Sequence, residues 1–83
     1  MPQNDKYRPY LVDLVNLLRE DLADARKQRD AHHPPPDKKA FDSGVAFAYA
    51  AVLSTMVHQA DAFDIPLSEI GLNGLDPEAE MAK

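Results

Sequence analysis

His58 is the residue whose type and neighbours best suit chemistry. Ser54 precedes it by four residues and Asp61 follows it by three, so the three side chains share one face of a helix. A histidine exposed on a helical bundle is the arrangement of a phosphotransfer domain. Asp61, however, would repel an incoming phosphoryl group, and no Lys or Arg lies within two turns to attract one. We therefore expect His58 to lie at a surface or an interface.

The other two histidines, His32 and His33, stand close to Asp30 and Asp37. Adjacent histidines cannot both reach one metal ion from a regular helix, where ligands lie three or four residues apart. Neither an HExxH pattern nor the Glu-x-x-His pair of di-iron bundles is present. No serine or threonine has a nearby base with a third orienting group. We expect a solvated loop, no metal, no cofactor and no enzymatic activity.

The elements that position these residues belong to one small domain, residues 1–83. The 83-residue chain contains no cysteine, so disulfides cannot stabilise it and oligomerisation is the expected substitute. The net charge is −5, and the acidic part is the second half, where residues 40–83 carry one Lys and seven Asp or Glu. Such a surface repels nucleic acid and anionic membranes and attracts a basic partner. The polar N-terminus predicts a cytoplasmic protein.

A first amphipathic helix is predicted over residues 9–30. Pro9 suits the first turn, where its missing N–H group is not needed. Apolar residues then recur at steps of three and four, which is the spacing of one buried helix face. They are Leu11, Leu14, Val15, Leu18, Leu22 and Ala25. Charged residues such as Arg19 fall mostly on the other sides.

A second helix is predicted over residues 39–64, after a proline-rich link over residues 31–38 with Asp37 as N-cap. A link this short makes two long helices antiparallel neighbours. The second helix has an apolar stripe formed by Phe41, Val45, Ala48, Val52, Met56 and Phe63. Its least apolar face holds Ser43, Phe47, Ala50, Ser54, His58 and Asp61.

The second helix carries more apolar surface than the first helix can cover. Because monomers rarely expose a large apolar patch, we expect two hairpins to pair into a four-helix bundle. The predicted dimer interface consists of Val45, Ala48, Tyr49, Val52, Leu53, Met56 and Val57. The predicted surface for another partner consists of Phe47, His58, Asp61 and Asp64.

Residues 65–83 form a tail that we expect to cap the open end of the bundle. Within it, Gly71 is predicted to stop a single helical turn, and Asp76 followed by Pro77 is predicted to start a short helix. The run 43–60 has no formal charge and reaches the length of a membrane span. It includes polar residues and lacks flanking basic anchors, so a buried bundle helix is the better interpretation and no membrane is expected.

The second half also resembles a known kind of protein. The residues concerned are Phe41-Asp42-Ser43-Gly44, Ala48-Tyr49, Met56 to Ala60, Phe63 to Leu67, Ile70-Gly71-Leu72 and Asp76-Pro77. This pattern is similar to small bacterial all-helical proteins of unknown function. The resemblance implies a helix followed by a folded tail and implies no activity.

Three functions are compatible with these observations. The leading hypothesis is a non-enzymatic, homodimeric protein–protein interaction or scaffold protein. The second is an acidic neutralising partner, such as an immunity protein or antitoxin, that is steered toward a basic protein. The third is a regulatory or phosphotransfer-like subunit that acts through His58.

Overall fold

The chain folds as a helical hairpin with a tail packed against it. The computed structural model describes residues 6–31 and 35–82, and these residues form helices and turns. The elements in order are α1 (Tyr7–Asp30), α2 (Pro36–Ala62), a 3₁₀ turn (Leu67–Ile70) and α3 (Pro77–Ala82). α1 and α2 pack against each other, which confirms the predicted all-α hairpin. The predicted loop residues His32 and His33 lie outside the described residues.

α2 begins three residues earlier than the sequence pattern predicted. Pro36 occupies the first helical position and Pro35 the extended position before it. Proline suits that place because its fixed φ is already helical and its missing N–H would have no partner there. Asp37 therefore lies in the first turn, where its charge complements the helix dipole, and not at the N-cap as predicted.

α2 ends at Ala62 in a Schellman motif. The amide of Ile65 donates to the carbonyl oxygen of Ala60 at 2.8 Å, and the amide of Asp64 donates to that of Asp61 at 3.1 Å. Asp64 takes the left-handed conformation that this motif requires, with φ +55°. The motif turns the chain back toward the hairpin, so the tail begins beside the last turn of α2.

The core lies between the two helices and the tail. Val15, Leu22 and Ala25 come from α1, and the tail supplies Leu72, which is fully buried. α2 contributes Ala46, Ala50 and Leu53. Two of these three are alanines, so the core contains little side-chain volume. A core this small gives an 83-residue chain only a narrow margin of stability.

The tail begins at the open end of the hairpin, where Glu69 lies 3.8 Å from Arg8 in the first turn of α1, and it then continues along the hairpin. Gly71 lies beside Val12, Val15 and Asn16 of α1, whereas Glu80 lies beside Arg26, more than two turns further along. The tail therefore follows the direction of α1. The predicted helical turn ending at Gly71 and the predicted short helix at Pro77 are both present. Turn and capping residues identified the helical turn and the short helix, but they could not show where these elements pack on the hairpin.

Candidate interaction surface

The hairpin has two broad faces, and the tail covers one of them. On α1 the tail contacts Val12, Asn16, Arg19 and Arg26, which recur at helical spacing on one side. On α2 it borders Phe47, Ser54, Val57 and His58. We call the opposite side the open face. The open face comprises Tyr10, Leu14, Leu17 and Leu18 with Phe41, Val45, Ala48, Val52, Met56 and Phe63.

The open face is apolar and largely exposed. Phe41 is 70% exposed, Phe63 67% and Val52 46%, and Tyr10 and Leu17 of α1 are also exposed. The remaining large side chains are half-buried at the edge of the core. Soluble monomers seldom leave an apolar patch of this kind uncovered, and larger patches mark interaction sites. The surface therefore suits contact with another apolar surface.

α1 covers one edge of the predicted apolar stripe, not its centre. Leu53 is 1% exposed and belongs to the core of the single chain, so its assignment to a dimer interface is wrong. Val57 is half-buried on the side of the tail, where it lines a cavity with Leu67, so it does not lie on the open face either. Ala48 and Val52 are exposed there, and Val45, Tyr49 and Met56 are half-buried.

The predicted partner surface lies beside the tail. Phe47 is 56% exposed and borders a small groove with Glu80 and Met81. His58 is exposed and borders Pro77. It lies eleven residues after Phe47, which is about 16 Å further along α2. The two residues therefore border two different grooves, both of which include Met81. The helical periodicity of α2 showed that this face is mildly polar, but it could not show that α3 packs beside it.

A cavity of about 450 Å³ lies between the last turns of α2 and the tail. It is lined by Val57, His58, Asp61, Ile65, Pro66, Leu67 and Pro77. Asp61 and the C-terminus of α2 both contribute negative charge to this apolar cleft. Asp64 is exposed nearby, at the left-handed position that ends the helix. The arrangement suits a cationic side chain with an aliphatic stem.

The described residues do not bring His58 into a catalytic arrangement. Within residues 6–31 and 35–82, no hydrogen bond joins His58 to Ser54 or Asp61. No group of three or more His, Cys, Asp or Glu side chains in these ranges could hold a metal ion.

At the other end of the hairpin, hydrogen bonds from Arg29 lower the pKa of the Asp30 carboxyl.

Two arginines of α1 have a role that the sequence pattern did not indicate. The Nη1 atom of Arg19 donates to the carbonyl oxygens of Gly71 at 2.8 Å and Asn73 at 3.1 Å. Arg26, seven residues later on the same face, bonds to Glu80. Arg19 was predicted to fall away from the packed side of α1. It contacts the tail because the tail occupies a face that is polar in α1.

α2 is long and apolar enough to cross a membrane by length and composition, and only 22% of that stretch is buried within the chain. The core helix of a soluble protein and a signal sequence pass the same test of length and composition, so this observation is weak evidence for a membrane span. Comparison of the chain with protein-family models, curated proteins and solved structures finds no match. The function is therefore inferred from geometry and charge.

Proposed function

We propose that this protein is a non-enzymatic, homodimeric interaction or scaffold module in which the open faces of two hairpins form a four-helix bundle. The observation that carries the proposal is the exposure of Phe41, Val52 and Phe63 on the face opposite the tail. The tail already covers the other face, so a second hairpin is the simplest cover for the open one. Both long helices of each copy would then lie in one core.

Val52→Asp tests the proposed dimer. An unpaired charge in the centre of the open face would cost several kcal/mol of association free energy. We expect sedimentation equilibrium to give twice the chain mass for the wild type and the chain mass for this variant. Phe47→Asp is the control, because Phe47 is 56% exposed, against 46% for Val52, but lies beside the tail. A wild type that stays monomeric and fully helical at micromolar concentration would exclude the proposal.

The same uncovered helix could instead contact a lipid bilayer. Flotation with neutral and anionic vesicles separates the two cases, because a dimer that hides its open face stays in the aqueous fraction. Recovery of the wild type with the vesicles would favour the membrane and contradict the dimer.

A second candidate function is the acidic neutralising partner, and the cavity beside Asp61 favours it. A Lys or Arg side chain of a basic protein could place its stem against Ile65 and Leu67 and its charge near Asp61. If so, Asp61→Asn combined with Asp64→Asn should weaken capture of that protein at low salt, whereas Val52→Asp should not. Equal capture by both variants would contradict this role.

The third candidate function, a regulatory or phosphotransfer-like subunit, depends on His58 alone. It requires that His58→Ala abolishes activity while circular dichroism and oligomeric state stay unchanged. Incubation with a phosphohistidine donor such as phosphoramidate provides a direct readout of phosphorylation. Unmodified His58 under those conditions would exclude this function and leave the dimer proposal unaffected.

A further inference from the structure

We infer that two copies pair through α2 in antiparallel orientation, with the two-fold axis passing close to Val52. This inference rests on the proposed dimer and adds its orientation and register. The positions of Phe41 and Phe63 on the open face set the register, and the sizes of its side chains together with the dipoles of α2 favour the antiparallel orientation.

The two phenylalanines of the open face lie symmetrically about Val52. Phe41 precedes Val52 by eleven residues and Phe63 follows it by eleven. Eleven residues are about three helical turns, so Phe41, Val52 and Phe63 lie on the same side of the helix axis. A two-fold axis through Val52, perpendicular to α2, exchanges these two end positions. Phe41 of each copy then lies opposite Phe63 of the other copy.

Side-chain sizes around the same axis are complementary. Ala48 and Met56 lie four residues before and four residues after Val52. In the antiparallel pair, the long flexible side chain of Met56 faces the depression at Ala48 of the second copy. A parallel pair would set Met56 against Met56 and Ala48 against Ala48, which crowds one level of the interface and leaves a void at another. Close packing therefore favours the antiparallel register.

The dipoles of the two α2 helices also favour this orientation. Antiparallel pairing places the partly positive N-terminal end of each α2 beside the partly negative C-terminal end of the other. Parallel pairing would align the two dipoles and bring like ends together. Unfavourable like-charge contacts of this kind discriminate between orientations.

Single cysteines can test the orientation, because the chain has none of its own. Phe41→Cys and Phe63→Cys are treated with a short bis-maleimide, separately and as a co-refolded equimolar mixture. Antiparallel pairing places the two copies of position 41 about 33 Å apart along the helix axis, beyond the reach of the cross-linker. We expect each variant alone to stay uncross-linked and the mixture to yield covalent dimers. Efficient cross-linking of either variant alone would overturn the inference.

A spin label at an exposed polar position provides a measurement that leaves the apolar face intact. With Lys39→Cys carrying a nitroxide, the antiparallel dimer separates the two Cα atoms by about 40 Å along the axis. Parallel helices in contact would separate them by about 10 Å. Pulsed electron–electron double resonance measures the distance between the two nitroxides and distinguishes these values. A long distance supports the inference, and a short one excludes it.

The two levels of the proposal can fail separately. Sedimentation of each labelled or cysteine variant shows whether the dimer is present. A dimeric protein with the short distance contradicts the orientation and leaves the proposed homodimer standing. A monomeric wild type contradicts both.

Discussion

Arg26 holds Glu80 at two points. Its Nη2 atom donates to the main-chain carbonyl oxygen of Glu80 at 3.0 Å, and its Nη1 atom lies 3.1 Å from the Oε1 atom of the same residue. The two side chains are 21% and 11% exposed, so this pair is more shielded from water than an ordinary surface ion pair. The contact fixes α3 against the hairpin.

Replacing Arg26 should therefore loosen the tail. Arg26→Ala removes a charge-assisted hydrogen bond and an ion pair from a partly buried site, at a cost of about 1–3 kcal/mol in the free energy of unfolding. Lys27→Ala is the control, because it removes the same charge from the next, exposed position. Urea denaturation at a fixed protein concentration compares the two. Equal midpoints would show that the Arg26 contact does not stabilise the fold.

Gly71 should resist substitution for a conformational reason. Its φ is +80°, and a Cβ atom there would make only ordinary contacts with Val15 and Asn16 at 3.6 Å and 3.5 Å. Backbone strain therefore decides the outcome, and we expect Gly71→Ala to destabilise the protein by about 1–2 kcal/mol. Thermal unfolding at one protein concentration measures the effect.

The matched substitution at Gly44 should act in the opposite direction. Gly44 lies inside α2 with open space around it in the single chain, so Gly44→Ala should stabilise the helix by up to about 1 kcal/mol. Because Gly44 is also close to the open face, sedimentation of this variant would show whether the added methyl group disturbs pairing. A loss of stability without dissociation would contradict the helical role.

Leu72 is the main apolar anchor of the tail, because it is fully buried in the core with Val15 and Leu53. We expect Leu72→Ala to cost about 2–5 kcal/mol, the range for deleting a buried leucine side chain. Hydrogen exchange should show lost protection in residues 67–82 before the hairpin opens. Uniform loss along the chain would indicate instead that tail and hairpin unfold as one unit.

If pairing stabilises the fold, thermal stability should depend on protein concentration. A partner that binds only the folded chain raises the melting temperature as its concentration increases. We expect the Tm of the wild type to rise between low and high micromolar concentration and the Tm of Val52→Asp to stay constant. Differential scanning calorimetry checks both, and a constant Tm for the wild type would count against the dimer.

The helical hairpin could be predicted from sequence because its signals are local. The spacing of Leu11 to Ala25 identifies one helix, and the prolines fix the link. The turn at Gly71 and the helix start at Asp76 were equally readable, and the Asp76 carboxylate does accept from the Glu78 amide at 3.1 Å. These features depend on residues a few positions apart, so periodicity and turn chemistry suffice.

The path of the tail could not be predicted in the same way. It depends on contacts across more than fifty residues, such as those of Arg19 with Gly71 and Asn73. For the same reason, Leu53 and Val57 were assigned to an interface although α1 covers the first and the tail borders the second. A stripe on a helix shows which side is apolar, but not which neighbour covers each part of it.

Arg19 and Arg26 bind main-chain carbonyl oxygens of the tail. A carbonyl oxygen is present whatever the side chain, so the contacts of Arg19 depend on the path of the backbone and hardly on the identity of residues such as Asn73, whereas Arg26 also pairs with the Glu80 carboxylate. Exposed side chains such as that of Asn73 can therefore be replaced while Gly71, Leu72, Glu80 and the two arginines preserve the course of the tail. The tail is a site where new surface chemistry can be installed without rebuilding the hairpin beneath it.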